Sequence, residues 1–535
     1  MVDEAHERSL STDILLGVLK KIRKKRPELR IIVSSATLQA EAFLQFFSGD
    51  ELEVNGHGGQ NKVGRIISLE GRMYPVDVLY AEQAAEDYVE LAVKTVFDIH
   101  ASEPEGDILV FLTGREEIDN ALQRIADRAA DLHPKASALL ALPLYAGLTS
   151  EQQLSVFDVA PENTRKVIVS TNIAEASVTI DGIVYVVDCG FVKLRAYDPR
   201  TGIETLTATP ISKASATQRA GRAGRTRPGK CYRLYTQAIY DTLPEATVSE
   251  VQRSNLAPII LQLKALGIDN ILRFDFLTPP PAELVIRALE LLYSLGALDD
   301  YAKLTRPLGS RMAEIAVEPM MAKVLLSAPS LGCLSEILSI AAMTSLQGAV
   351  WFQHNGERKA ADASRRKFAA EEGDHLTLLN VYESFITKGR KDSKWCRDNH
   401  LNYKSMIRAV SIRAQLKRYL ERFGIDVNES LASKGRDNGS HNVGEAIRKC
   451  LTTGYFSHAA RMQPDGSFKT VNQGTTLYAH PSSLMFNRKA DWVIFHEILE
   501  TGDKVYIRDV SRIEKKWLLE EGAGSFYQVQ GARDD

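Results

Sequence analysis

Val167 to Ser170 and Ile183 to Val187 form two short runs, dense in β-branched residues and free of charge. Strands that are apolar on both faces cannot leave one face in water, so they demand a parallel sheet with helices covering both sides. The preceding sequence supplies such helices. Asp87 to Ile99 places Val89, Val93 and Val96 on one face, and Ile118, Leu122, Ile125 and Ala126 repeat the spacing after a short strand predicted over Ile108 to Leu112. An earlier helix carries Ile14, Leu15, Val18, Leu19 and Ile22, with cap chemistry in Ser11 to Asp13 and Pro27 as its end. It leads to a predicted buried strand, Leu29 to Val33, which runs into Ser34-Ser35-Ala36-Thr37. In sheets of this kind ligands sit at the carboxyl ends of strands, where these hydroxyl, glycine and charged residues fall.

At 535 residues the chain is too long for one core, and several domains are expected. After about residue 246 the pattern turns helical: Ile286, Leu289 and Leu292, then Leu334, Ile337, Leu338 and Ala341, then Ile412, Leu416, Tyr419, Leu420 and Phe423, with a break at Thr278 to Pro281. Beyond a polar stretch from Glu429 to Asn442, short strands are predicted in Thr476 to Phe486, Trp492 to Leu499 and Val505 to Val510. Phe191 to Pro210 alternates around Asp198-Pro199-Arg200-Thr201-Gly202, the signature of a hairpin.

Lys plus Arg number 66 against 68 Asp plus Glu, so no global positive field draws a polyanion and any such binding rests on local groups. The basic runs Lys20 to Arg30 and Arg365 to Lys367 read as solvated helix faces, although the second could reach the phosphates of a polyanion. Five scattered cysteines, without a C-x-x-C pair, exclude a disulfide frame and a zinc knuckle and read as buried thiols. His375 and the other histidines show no metal-ligand spacing. The first residues lack a signal peptide, and the most apolar stretch, Leu334 to Phe352, is interrupted by Glu336 and Gln347, so a soluble intracellular chain with no membrane partner is expected.

Three clusters carry chemistry. Asp3-Glu4, at what reads as the end of a buried strand, supplies two carboxylates: one can hold the waters of a magnesium ion, the other can orient or deprotonate an attacking water. An acidic helix N-terminus favoured by the macrodipole is the plainer alternative. Gln218-Arg219-Ala220-Gly221-Arg222-Ala223-Gly224-Arg225 sets arginines at three-residue intervals, expected to point one way on a helical turn, with small residues allowing close approach. Such a face suits phosphate, with Arg222 and Arg225 on γ-phosphate oxygens and Gln218 on the attacking water. A solvated arginine face is the alternative. Thr171 to Asp181, dense in hydroxyls, follows the Val167 strand and could meet a nucleic-acid phosphate and a ribose, or could be a simple polar loop.

These blocks, in this order, resemble the DEAH-box RNA helicases of superfamily 2. Asp3-Glu4-Ala5-His6 is similar to motif II, Ser35-Ala36-Thr37 to motif III, Phe111-Leu112-Thr113-Gly114 to the motif IV region, Thr171 to Asp181 to motif V, and Gln218 to Arg225 to motif VI. The resemblance implies a multidomain architecture. Tandem α/β RecA-like domains come first, a partial one over 1–75 and a second over 76–245. All-α winged-helix (246–315) and ratchet (316–425) domains follow, then a linker (426–443) and a C-terminal β OB-fold (444–535).

It also implies roles. Asp3 would hold Mg2+ through water, Glu4 act as catalytic base, and His6 couple the nucleotide site to motifs III and VI. Ser35 and Thr37 would link ATP state to unwinding; Thr179 and Asp181 would contact the nucleotide, Asp181 at the ribose; and Gln218, Arg222 and Arg225 would serve the water and the γ-phosphate. Phe157 resembles the adenine-stacking aromatic, with a core phenylalanine as the alternative. Thr113, Gly147 and Thr171 would touch RNA, and the 191–210 hairpin would act as a wedge unless it is only a surface ribbon. Ala176 departs from the family by lacking a hydroxyl.

The larger departure is the P-loop. The near match Gly224 to Cys231 ends in Gly229-Lys230-Cys231, overlaps motif VI and leads into a predicted strand, Tyr232 to Tyr235, so it is no phosphate cradle. The chain opens as if N-terminally truncated at motif II. The expected function is ATP-dependent, 3′-to-5′ RNA translocation and RNP remodelling in nuclear pre-mRNA splicing, with ATP, Mg2+ and a G-patch activator. The alternative is an RNA- or protein-binding fragment without ATPase activity.

Overall fold

The computed structural model describes residues 1–36, 40–48, 64–69, 74–131, 137–148, 150–175, 179–346, 350–351, 358–390, 392–427, 443–471, 474–501 and 504–520. They divide into two compact units, one of 1–195 with 206–250 and one of 196–205 with 251–535.

The first unit is built on a parallel sheet. Its strands are β1 (Val76–Tyr80), β2 (Asp107–Phe111), β3 (Ala138–Leu144), β4 (Thr164–Ser170), β5 (Ile183–Asp188) and, after a hairpin of β6 (Phe191–Asp198) and β7 (Ile203–Pro210), β8 (Gly229–Arg233). They lie in the order β1-β8-β5-β2-β4-β3, and every pairing is parallel. Ile108, Val110, Val167 and Val187 face one core, with Val89, Val93 and Val96 from the Tyr88–Ser102 helix. Leu109, Phe111, Ile168 and Val186 face the other. The uninterrupted apolar strands thus do what their composition requires, burying alternate side chains in two layers. The five cysteines are buried thiols, and burial pushes Cys189 and Cys231 up to about 12.

Several local expectations need correction. Leu29 to Val33 is not a buried strand: Ile32 is exposed, and only a bridge from Val2 to Val33 joins this segment in parallel. The first helix runs Leu10–Lys25 with Ser9, not Ser11 to Asp13, as its cap; Asp13 is instead fully buried against Arg8 at 2.8 Å. The strand predicted over Tyr232 to Tyr235 is Gly229–Arg233. Strand β3, Leu-rich and carrying Pro143, was not foreseen because leucine signals helix as readily as strand.

In the second unit the helices Ala257–Ala265, Ala282–Ser294 and Leu308–Glu314 accompany a two-residue bridge, Leu298 to Leu304. Pro319–Leu331, Leu334–Thr344, Asp374–Ser384 and Tyr403–Arg422 form the helical middle. The C-terminal sheet comprises β9 (Ala459–Met462), β10 (Phe468–Thr470), β11 (Thr476–Ala479), β12 (Trp492–Ile494), β13 (Glu497–Thr501), β14 (Lys504–Arg508) and β15 (Ser511–Arg512), so Trp492 to Leu499 is two strands, not one. The hairpin tip, residues 196–205, belongs to this unit, and Ile203 is buried in the core of the C-terminal sheet, which excludes a free surface ribbon. Arg365 is no solvated side chain either: it stacks over Trp351 at 5.3 Å and donates to the Ser482 carbonyl at 3.3 Å. The linker expected over 426–443 lies almost wholly outside the described residues. Among the described residues no helix is long and apolar enough to cross a membrane.

Candidate functional site

The parallel bridge between Val2 and Val33 places Asp3-Glu4-Ala5-His6 beside Ser34-Ser35-Ala36. Val2 donates to the Ile32 carbonyl at 2.8 Å, Ser34 to the Val2 carbonyl at 2.8 Å, and Ala5 to the Ser34 carbonyl at 3.0 Å. These bonds hold Glu4 in a left-handed conformation (φ 51°, ψ 36°), which costs a non-glycine residue about 1 kcal/mol. Asp3 is exposed; hydrogen bonds from Ser34 and the Glu4 amide hold its carboxyl below the usual carboxylate range. His6 is nearly buried. Its Nδ1 accepts the Ala36 amide at 3.2 Å, so Nε2 carries the proton and faces Glu4 Oε2 at 3.5 Å. Ser35 is half-buried, and Thr37 lies outside the described residues.

Motif VI does not present its arginines on one face. The helix Lys213–Ala220 ends before Gly221, and the three side chains part there. Arg219 is 1% exposed: it binds Asp188 at 2.7 Å and Glu175 at 3.0 Å, and lies over the Phe111 ring at 4.9 Å. Burial opposes its charge, but the two carboxylates prevail and raise its pKa. The glycines serve the backbone: a side chain at Gly224 would meet the Tyr74 carbonyl at 2.6 Å, and one at Gly229 the Ala223 carbonyl at 2.4 Å. Gly229 also opens β8, in keeping with the rejection of a P-loop there.

Arg222 and Arg225 turn the other way, into a cavity of about 310 Å³ lined by Glu4, His6, Ala36, Thr179, Gln218, Arg222 and Arg225. Arg222 donates to the Glu175 carbonyl and Arg225 to the Thr179 hydroxyl. Burial, then the charge of Arg225, lower Arg222 to about 10, against the pull of Glu175 and Glu4; burial lowers Arg225 against that of Asp181. Two guanidiniums held together at this expense form a preorganised anion site. An oxyanion between them would relieve both, with a carboxylate and an amide side chain on the same wall to handle water.

Asp3, Phe157 and Asp181 do not line the cavity. Phe157 is 48% exposed on the turn Ser155–Phe157, which excludes a core phenylalanine. Asp181 is exposed just before β5. Ala176 is outside the described residues.

Thr113, Gly147 and Thr171 come together differently. They follow the carboxyl ends of β2, β3 and β4, three adjacent strands, whose loops are tied by Leu112 donating to the Ser170 carbonyl at 2.8 Å and Thr171 to the Leu144 carbonyl at 3.1 Å. Gly147 is exposed, Thr171 half-buried and Thr113 buried; the Thr113 amide donates to Glu117 at 3.0 Å. Sequence reasoning gave no role to the buried Asp188. A carboxylate closing an all-apolar strand needs a cation, and that signal could have singled out Arg219.

Family models match along the chain: the helicase conserved C-terminal domain at 90–227, the winged-helix and ratchet-like helicase associated domains (HA2) at 288–317 and 318–378, and the oligonucleotide/oligosaccharide-binding (OB)-fold at 447–524. Among curated proteins, the chain is 50% identical over 531 residues to a human protein named probable ATP-dependent RNA helicase DHX35, spanning 99% of this chain and 73% of that one. A Caenorhabditis elegans protein named as a homolog of it is 48% identical over 522 residues, 97% of this chain and 69% of that one.

Proposed function

The chain belongs to the DEAH-box RNA helicases, and we propose that it couples ATP hydrolysis to 3′-to-5′ movement along single-stranded RNA, remodelling RNA and RNP in nuclear pre-mRNA splicing. The observation that carries the reading is the convergence of Glu4, His6, Gln218, Arg222 and Arg225 on one cavity. Arg222 and Arg225 bind the γ-phosphate oxygens and stabilise the charge that spreads over them. Glu4 and Gln218 orient the attacking water, and Glu4 takes its proton. His6 ties Glu4 to the Ala36 backbone, so movement at Ser35 and Thr37 is felt at the base.

Asp3, exposed and held ionised, fits the water shell of Mg2+, which when bound neutralises the phosphates. Phe157 stacks on adenine, Thr179 and Asp181 meet the nucleotide, and Thr113, Gly147 and Thr171 form the strand-end surface for RNA. The 535 residues contain no G-x-x-x-x-G-K-[ST], so alone they turn over ATP weakly at most, and hydrolysis is assayed in protein that carries a P-loop with them.

Strand displacement tests the reading. In protein that carries a P-loop with these residues, a duplex with a 3′ single-stranded tail should be unwound in ATP and a 5′-tailed one should not. Equal unwinding of both would overturn the direction, and unwinding of neither would overturn the helicase activity.

A G-patch activator remains part of the proposal. Ile286 (54% exposed) and Tyr293 (49%), seven residues apart on the Ala282–Ser294 helix, offer an apolar face to such a partner. Changing both to Glu should abolish stimulation by the G-patch protein and spare basal hydrolysis. Unchanged stimulation would remove this surface from the account.

A further inference from the structure

Lys166 has a burial that the mechanism above does not use. It sits in β4, between the buried Arg165 and the buried Val167, and is 3% exposed. Its Nζ donates to the Val156 carbonyl at 2.8 Å and to the Asp158 carbonyl at 2.8 Å, the two carbonyls that bracket Phe157. Its own amide is held by Asp107 Oδ1 at 2.9 Å, which fixes the root of the side chain. An ammonium gives up its hydration to be placed here, and an unbranched apolar side chain would fill the same space without that penalty. What an apolar chain cannot do is tie two carbonyls.

Val156 is fully buried beneath the sheet while its neighbour Phe157 projects into solvent, on a turn of three residues. An exposed aromatic ring on so short a turn gains by folding back onto the protein unless the backbone on both sides is fixed. Lys166 fixes both sides.

We propose that Lys166 is a positioning residue for nucleotide binding, holding the Ser155–Phe157 turn so that the Phe157 ring stands ready to stack on the base. The proposal rests on the reading of Phe157 as the base-stacking residue. The test measures kcat and KM for ATP in RNA-stimulated hydrolysis by protein that carries a P-loop with these residues, with Phe157→Ala, Lys166→Met and the double variant. Lys166→Met should raise KM about fivefold and leave kcat within about twofold, since stacking contributes to binding more than to the chemical step. In the Phe157→Ala background it should add nothing.

Asp158→Gly, at an exposed position, loosens the same turn without opening the core. It should raise KM in the same sense, and it keeps the test available should Lys166→Met fold poorly. An unchanged KM in Lys166→Met or Asp158→Gly, or an equal rise with Phe157 already removed, would overturn the positioning role. If Phe157→Ala leaves KM unchanged, the base-stacking reading itself is lost.

Discussion

Arg219, Arg222 and Arg225 are spaced alike in sequence and do opposite things. Arg219 is spent inside the protein on Asp188 and Glu175, with Tyr235 donating to the far oxygen of Asp188 at 3.0 Å. Arg219→Met leaves two buried carboxylates without their cation, and should cost about 3–5 kcal/mol of stability, read as a lowered unfolding midpoint. Arg222→Ala should leave that midpoint unchanged or slightly raised, because burial and Arg225 work against its charge in the folded protein. It should instead lower RNA-stimulated kcat by about 10³-fold, as loss of an arginine finger does. A destabilised Arg222→Ala with normal turnover would reverse these assignments. The sequence could not separate the three, since a regular spacing predicts one face only while the helix continues, and here it stops at Ala220.

Among elements, the helix Asp374–Ser384 and the C-terminal sheet share a buried polar seam. Asp374 accepts from the Ser483 hydroxyl at 2.5 Å, the Leu484 amide at 2.8 Å and the Val510 amide at 2.9 Å. His375 is buried, and His458 and His496 half-buried, around Tyr455, and desolvation lowers them to about 3, 4 and 4 from the ordinary 6.5. With folded values below the unfolded one, the stability they contribute is fully present above pH 6.5 and drains as pH falls toward 4, by about 1.4 kcal/mol per histidine per pH unit. Asp509 acts in the opposite sense: burial raises it to about 7 from 3.8, so its contribution is present at low pH and lost as pH rises through 7. Asp374, whose carboxyl burial also raises, works with Asp509; three groups against two leave acid destabilisation, and the unfolding midpoint should drop between pH 6 and 4.5. A midpoint flat over that range would show that the seam is open to water.

The elements themselves were legible where one period dominated. The Tyr88–Ser102 helix, β2, β4, β5 and the hairpin follow from periodicity and turn chemistry. The Leu29 segment did not, because the same apolar run makes a single bridge and stays partly exposed.

At the scale of the whole molecule, near-zero net charge is reconciled with binding of a polyanion by placement. The positive charge that counts is two guanidiniums in one cavity, and the strand-end loops after β2, β3 and β4 offer backbone groups in place of a basic surface. Motif order along the chain brought both groups of residues to notice: Thr113 and Thr171 follow β2 and β4 of the parallel sheet, Glu4 and His6 follow the bridge between Val2 and Val33, and Gln218 to Arg225 close a helix. What the sequence could not convey is which motif residues turn inward: Arg219 into the core, Thr113 beneath its loop, Lys166 under Phe157.

The most direct test of the account is single-turnover, RNA-stimulated ATP hydrolysis with Glu4→Gln, in protein that carries a P-loop with these residues. Glutamine keeps the shape of the left-handed turn but cannot take a proton. The account predicts a rate lower by about 100-fold or more with nucleotide affinity retained; a rate within about threefold of the parent would contradict it.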